Sequence, residues 1–286
     1  MQINDLINKH SQSIDWLDVI EQVSFLESKL LIDNYIKDGI ININHQFTSK
    51  KSENYIFQMW YQDEERPKIV SKCLNSVREN FKDKEVILIT KKNIHNYVNL
   101  PGYIYDHLDK HMRICHFADI VRSQLLSTYG GIWIDATVFI TRNPDELLVN
   151  DFFAFNHIPT ILNGNNYRWI ETWFLYSNKS SELFDLTYKF LIEYWRFNDH
   201  IMHYFMFNHF LIISNKILNL DILTEQSLNY AIDPHLMLLN WNRNFSYELY
   251  NIICLKSPIH KLTYSLEFPY GIIDNNNSLQ QFLLND

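Results

Sequence analysis

Glycine is scarce in this chain, six in 286 residues, and the scarcity removes whole classes of site. Neither G-x-G-x-x-G nor G-x-x-x-x-G-K-[S/T] occurs, so the usual dinucleotide crevice and the P-loop are excluded. G-x-S-x-G is missing too, and with it the commonest hydrolase elbow. Cysteine is nearly as rare. Cys73, Cys115 and Cys254 stand far apart with no C-x-x-C pair, which supports neither a zinc knuckle nor a disulfide framework and fits a reducing compartment. Positive charge is short: 25 Lys and Arg against 33 Asp and Glu leave a net charge of −8. That argues against a general nucleic-acid binder, whose phosphate contacts need a basic face. A local basic patch stays compatible with the total. Long apolar runs are absent as well. The most apolar stretch, "YFMFNHFLII", is broken by Asn208 and His209 and is too short to cross a bilayer. The opening "MQINDLINKHSQSIDW" lacks the basic, apolar, small-residue order of a signal peptide. The expected location is cytoplasmic, with peripheral contact to the inner face of the cell membrane left open.

What the chain does have is apolar and aromatic weight, 47% and 15% of residues, enough for one large globular domain with or without an appendage. Residues 1–50 read as an N-terminal helical appendage. Trp16, Val19, Ile20, Val23, Leu26, Leu30 and Ile32 fall near helical spacing, Gly39 follows as a stop, and a polar linker comes next. Residues 51–286 read as the main domain. "YIFQMWY" predicts a strand, and "PKIVSKCLNSVRENF" a helix opened by Pro67. "EVILIT" predicts a buried parallel strand, "ICHFADIVRSQLLSTYGG" a helix ending at Gly130, and "IWI" a further strand. This alternation predicts an α/β fold with a largely parallel sheet, whose ligands bind beyond the carboxyl ends of the strands. After residue 150 the patterning weakens. "SSELFDLTYKFLIEYWRF" and "HYFMFNHFLIISNKIL" still read as helices, and "NIICLKSPIHKLTYS" as a short strand with a polar tail.

Asp135 leaves the "GGIWI" strand at such a carboxyl end. It either holds Mg²⁺ or Mn²⁺ beside a diphosphate, with Thr137 lending a hydroxyl, or simply caps the following turn. Asp119 and Arg122, at i and i+3, are either a surface ion pair or a buried pair that reaches ribose, sugar or phosphate; their apolar surroundings, "FADIVRSQLL", favour the latter. His260 and Lys261 offer a further metal ligand and a phosphate cation, or plain surface. Trp60, Tyr61 and Gln62 end the first strand, where an aromatic can stack on a base or sugar and Gln62 can bond a nucleotide, unless Trp60 belongs to the core. Trp133, Trp169, Trp173 and Trp195 read mainly as core. His200, His203 and His209 invite a zinc reading, but no H-E-x-x-H accompanies them and a satisfied histidine cluster is the better expectation. A part in acceptor binding stays open for Asn208 and His209.

"IFQMWYQDEERPKIVSKCLNSVRENF", "EVILIT", "HFADIVRSQLLSTYGGIWIDATVFIT" and "PIHKLTY" stand in the order seen in bacterial capsular polysaccharide synthesis glycosyltransferases, which the chain resembles over about residues 55 to 270. These are relatives of the sugar-binding transferases with an Asp-x-Asp motif. The resemblance implies a GT-A fold, a nucleotide-sugar donor (UDP-linked), a divalent metal and a retaining reaction. It implies an oligosaccharide acceptor, lipid-linked in one version, and leaves a homodimer open. Asp135 matches the first Asp of the motif and Thr137 stands at the second. Asp119 and Arg122 match the upstream Ser-Asp-x-x-Arg element with Ala118 at the serine, and Trp60 and Gln62 match a Trp-x-Gln element. The expected catalytic residues are Asp135 and Asp119. Trp60, Gln62, Asp119, Arg122 and Lys261 are expected on the donor, and Asp135, Thr137 and His260 on Mn²⁺ or Mg²⁺. A catalytically degenerate nucleotide-sugar-binding scaffold is the alternative. A two-metal phosphohydrolase ranks lower, because no clustered carboxylates can be assembled.

Overall fold

The computed structural model describes residues 16–43, 47–48, 54–62, 66–156, 170–220, 232–265 and 277–285. The central sheet holds five strands: β1 (Tyr55–Met59), β2 (Glu85–Ile89), β3 (Gly131–Ile134), β5 (Phe152–Asn156) and β6 (Ile170–Ser177), in the order β2-β1-β3-β6-β5. β1 pairs in parallel with both β2 and β3, whereas β6 runs antiparallel to β3 and to β5. Four strands therefore point one way and β6 alone is reversed. The sheet is mostly parallel, as the alternation predicts, with one antiparallel insertion that it does not.

Helix α2 (Lys68–Asn80) connects β1 to β2, and the chain then returns across β1, through α3 (Gly102–Leu108) and α4 (Ile114–Thr128), to form β3. The strand order thus reverses at β1, and the crevice at the carboxyl ends of β1 and β3 is a topological switch point. α2 forms where the pattern places it. Pro67 precedes its first residue, and Ile69, Val70, Cys73, Leu74 and Val77 are buried. β2 departs from expectation. It is parallel but lies at the sheet edge, so only Ile87 and Ile89 of "EVILI" are buried.

β3 is covered on both faces, which is why "GIWI" carries no polar residue. Trp133 faces the larger core with α4, while Ile132 and Ile134 face a second cluster under β4 (Val138–Ile140). Gly130 and Gly131, at φ +71° and +85°, make the sharp entry to this strand. A Cβ on Gly131 would collide with the Tyr55 carbonyl oxygen, so the contact with β1 needs a glycine there.

α1 (Trp16–Lys37) is not set apart from the domain. Phe25, Ile32, Tyr35 and Ile41 join the main core, and Ser28 bonds to His209 Nδ1 at 2.9 Å on α6 (Met206–Ile217). The buried face also differs from the periodic one: Ser24 and Ser28 are inside, while Ile20 and Leu30 are 52% and 63% exposed. Each serine hydroxyl donates to the carbonyl four residues back, Ile20 and Ser24, which removes most of the cost of burying it. α5 (Glu182–Phe197) and α6 match their predicted helices. α7 (Ile232–Leu239) and α8 (Tyr247–Lys256) follow, and α8 takes up "NIICLK", part of the stretch read as strand. β7 (Ile259–Lys261) then pairs antiparallel with β4, and α9 (Leu279–Asn285) ends the described chain. No helix among the described residues is long and apolar enough to cross a membrane.

Candidate active site

Asp135 follows β3 directly, two residues after Trp133 and therefore on the same face of the strand. Its backbone N–H donates to Trp173 O at 2.9 Å, and its carbonyl accepts from Val138 N at 3.0 Å to close the turn. The carboxylate is thereby left for other partners. Oδ1 accepts from Trp133 Nε1 at 2.8 Å and from Arg122 Nη2 at 3.4 Å. Oδ2 accepts from Lys261 Nζ at 3.1 Å. Burial disfavours its charge, but Lys261, Arg122 and the Trp133 N–H outweigh that and hold the carboxyl below the usual range. The turn-capping reading of this side chain does not describe these contacts.

Arg122 projects from α4 with its side chain 7% exposed, so this is no surface pair. Nη1 donates to Thr172 O at 2.6 Å, and Nη2 lies 3.5 Å from Asp119 Oδ1. The guanidinium sits 4.9 Å over the Trp133 ring and 5.3 Å from the Phe207 ring. Asp119 in turn lies 3.6 Å from His116 Nδ1. Burial alone would discharge His116, yet Asp119, with help from Cys115, raises its pKa to about 9. Its Nε2 is buried with no hydrogen-bond partner among the described residues. His116 stands one turn before Asp119, and its i, i+3 spacing to that carboxylate is all that marks it in the sequence.

Thr137 and Lys261 meet through the small β4–β7 sheet. Val138 pairs with Lys261, and Leu262 N donates to Thr137 O at 2.9 Å. This register brings Lys261 Nζ within 2.8 Å of Thr137 Oγ1 and beside Asp135, across more than 120 residues of sequence. The neighbouring His260 points the other way, as alternation along a strand requires. It is fully buried against Phe139, with Nε2 3.2 Å from Thr141 Oγ1, and burial lowers its pKa to about 3. The structure does not bring His260 to Asp135 and Thr137.

Asp119, Arg122, Asp135, Thr137 and Lys261 thus converge, joined by Trp133 and His116. Lys261, Arg122 and protonated His116 face Asp119 and Asp135, a surplus of one positive charge. Such a cluster suits an anionic ligand. It remains reachable, since the side chains of Asp135 and Lys261 are 27% and 21% exposed.

Trp60 follows β1 directly and is buried in a third core cluster with Ala136, Phe139 and Leu262. The core reading of Trp60 therefore describes its packing. Its ring meets the half-exposed Tyr264 edge-on at 5.5 Å, and its Nε1 has no hydrogen-bond partner among the described residues. Gln62 is exposed. Tyr204, 55% exposed, stands edge-on to His116 at 5.7 Å. Tyr204 and Tyr264 were not singled out from the sequence, where nothing distinguishes them among 17 tyrosines.

The histidines of "DHIMHYFMFNH" have structural neighbours. His203 stacks on His209 at 5.2 Å, His209 bonds to Ser28, and Asn208 Nδ2 donates to Ile170 O at 2.6 Å. His200 pairs with Asp199 at the surface. Among the described residues no group of three His, Cys, Asp or Glu is placed to hold a metal ion. The cation implied at Asp135 and Thr137 meets a further obstacle. The Lys261 ammonium already bonds to both would-be ligands, and Arg122 stands on the other carboxylate oxygen. As arranged, these residues do not fit Mn²⁺ or Mg²⁺.

A family profile described as "Capsular polysaccharide synthesis protein" matches residues 17–278. Among solved structures, one titled "PaToxG Glycosyltransferase" is similar at 12% identity and a TM-score of 0.41, over 82% of this chain and 95% of that one. The comparison with curated proteins returned no match.

Proposed function

The chain belongs to the capsular polysaccharide synthesis protein family, and from that premise we propose that it is a glycosyltransferase using a nucleotide-diphosphate sugar, UDP-linked in the first instance. The observation that carries this reading is the cluster of Asp135, Arg122 and Lys261 at the carboxyl ends of β1 and β3, the switch point where α/β sheets take nucleotide ligands. Its surplus positive charge matches a diphosphate. Tyr264 beside Trp60 and Tyr204 beside His116, both about half exposed, offer faces for a base or a sugar ring. Asp119, held by His116 and Arg122, is the carboxylate for ribose or sugar hydroxyls.

In the reaction, the bond between sugar C1 and the diphosphate oxygen breaks with its electron pair going to the diphosphate. An acceptor hydroxyl on a growing glycan bonds to C1, and its proton passes to the departing diphosphate. Retention follows when entry and departure share one face of the sugar. Lys261 and Arg122 stabilise the charge that grows on the leaving group, which costs no reorganisation because both are already fixed.

Hydrogen exchange with a panel of nucleotide sugars tests the site. The correct donor is expected to protect the amides of 131–138 and 259–262. Protection confined to other segments would contradict the assignment.

A further inference from the structure

We infer that Lys261 is a built-in replacement for the divalent cation, so that donor binding and transfer need no metal. The inference rests on the glycosyltransferase reading and deepens it. Its basis is where Nζ sits: 2.8 Å from Thr137 Oγ1 and 3.1 Å from Asp135 Oδ2, between the two side chains a bridging cation would use. The placement is not that of a surface lysine reaching to a convenient carboxylate. The β4–β7 pairing fixes the backbone of Lys261 opposite Val138, and the Leu262–Thr137 hydrogen bond continues the register. The Lys261 side chain is only 21% exposed, and its ammonium presents one positive charge to the crevice.

The remaining geometry opposes a second cation there. Oδ1 of Asp135 is taken by the Trp133 N–H and by Arg122, which is itself anchored to Thr172 O. A divalent ion added to this carboxylate would lie beside two fixed cations, with one carboxylate and one neutral hydroxyl for protein ligands. Mg²⁺ and Mn²⁺ need at least one carboxylate oxygen left open beside water and phosphate, whereas both oxygens of Asp135 already carry donors, and His260, a candidate for the missing ligand, faces Thr141 instead. Threonine at 137 has its own reason in this arrangement. An aspartate there would add a second negative charge to a pair that one lysine already neutralises, whereas a hydroxyl accepts a hydrogen bond from the ammonium and adds no charge. Lys261 donates a hydrogen bond to the diphosphate once the donor is seated.

Calorimetric titration with UDP and GDP, in EDTA and in Mn²⁺, is the test, with Mn²⁺ electron paramagnetic resonance as a second readout. Wild-type protein is expected to bind one of the two nucleotides equally well in EDTA and Mn²⁺, to within about threefold. It should deplete no free Mn²⁺ beyond what the nucleotide alone removes. K261M should weaken that binding at least tenfold in EDTA, with thermal unfolding confirming that the variant is folded. T137D/K261A should gain a protein-bound Mn²⁺ signal, because it frees the place and adds a carboxylate. Nucleotide binding that requires Mn²⁺ in the wild type, or that K261M leaves intact, would overturn the inference while leaving the glycosyltransferase reading in place. Failure to bind either nucleotide under any condition would instead overturn that reading, and the inference with it.

Discussion

At the scale of single residues, the site depends on Arg122 doing four things at once. One guanidinium serves Asp119, Asp135, the Thr172 carbonyl and the face of Trp133. A planar, forked cation can do this and an ammonium cannot. Arg122→Lys is therefore expected to leave the fold intact yet reduce kcat/KM for donor turnover about 100-fold or more, measured by steady-state nucleotide release. Preserved turnover would show that the guanidinium serves packing only. Asp119 and Arg122 stand out in the sequence because charge in an apolar setting is conspicuous, and Asp135 because it ends an apolar strand, whereas Lys261 is marked only as half of a lone His-Lys pair. Trp133 was legible only as core. It is 1% exposed, and its N–H bond to Asp135 depends on β3 presenting residues two apart on one face. His260 misled for the converse reason: beside Lys261 in sequence, it is on the opposite side of β7.

At the scale of elements, two short segments decide the site. The Gly130–Gly131 turn lets β3 start against β1, and β4–β7 carries Lys261 to Thr137. Gly131→Ala would place a Cβ against the Tyr55 carbonyl at a backbone φ of +85°. The strain and the overlap together are expected to cost about 3 kcal/mol, read as a fall in the urea midpoint. An unchanged midpoint would mean that the β1–β3 contact is looser than described. β1, α2, α4 and β3 could be read from their periodicity. β6 could not, because its antiparallel insertion between β3 and β5 is set by long-range pairing that no local pattern encodes. The buried face of α1 is only partly legible: Ile32 is inside as the spacing predicts, but Ser24 and Ser28, which periodicity counts as polar, are inside too while Ile20 and Leu30 are exposed.

For the whole molecule, buried histidines set how stability follows pH. Burial holds both His209 and His260 at about 3, against about 6.5 in an unfolded chain. Between pH 6.5 and 3 the unfolded state binds more protons at these two sites, so stability must fall as pH falls, by about 1.4 kcal/mol per pH unit for each histidine. His116 acts in the other direction. With its pKa raised to about 9, it stabilises fully below 6.5 and loses that contribution as pH rises towards 9. Stability is thus expected to peak near pH 6.5 to 7, and His260→Leu to flatten the acid limb by one proton, checked by urea unfolding across pH. An acid limb unchanged in the variant would show that His260 does not titrate as described. The same molecule-wide arrangement, a mostly parallel sheet with its charged cluster at the switch point, is what joins the fold to the chemistry.

Nucleotide release by purified protein from a panel of nucleotide-diphosphate sugars, with wild type and Asp135→Asn side by side, tests that link most directly. The account predicts slow release from one donor class, reduced at least about 100-fold in the variant, whose melting temperature should stay close to that of the wild type. Donor binding without release from any of them, or release that Asp135→Asn leaves unchanged, would contradict it and favour a nucleotide-sugar-binding scaffold or a different active site.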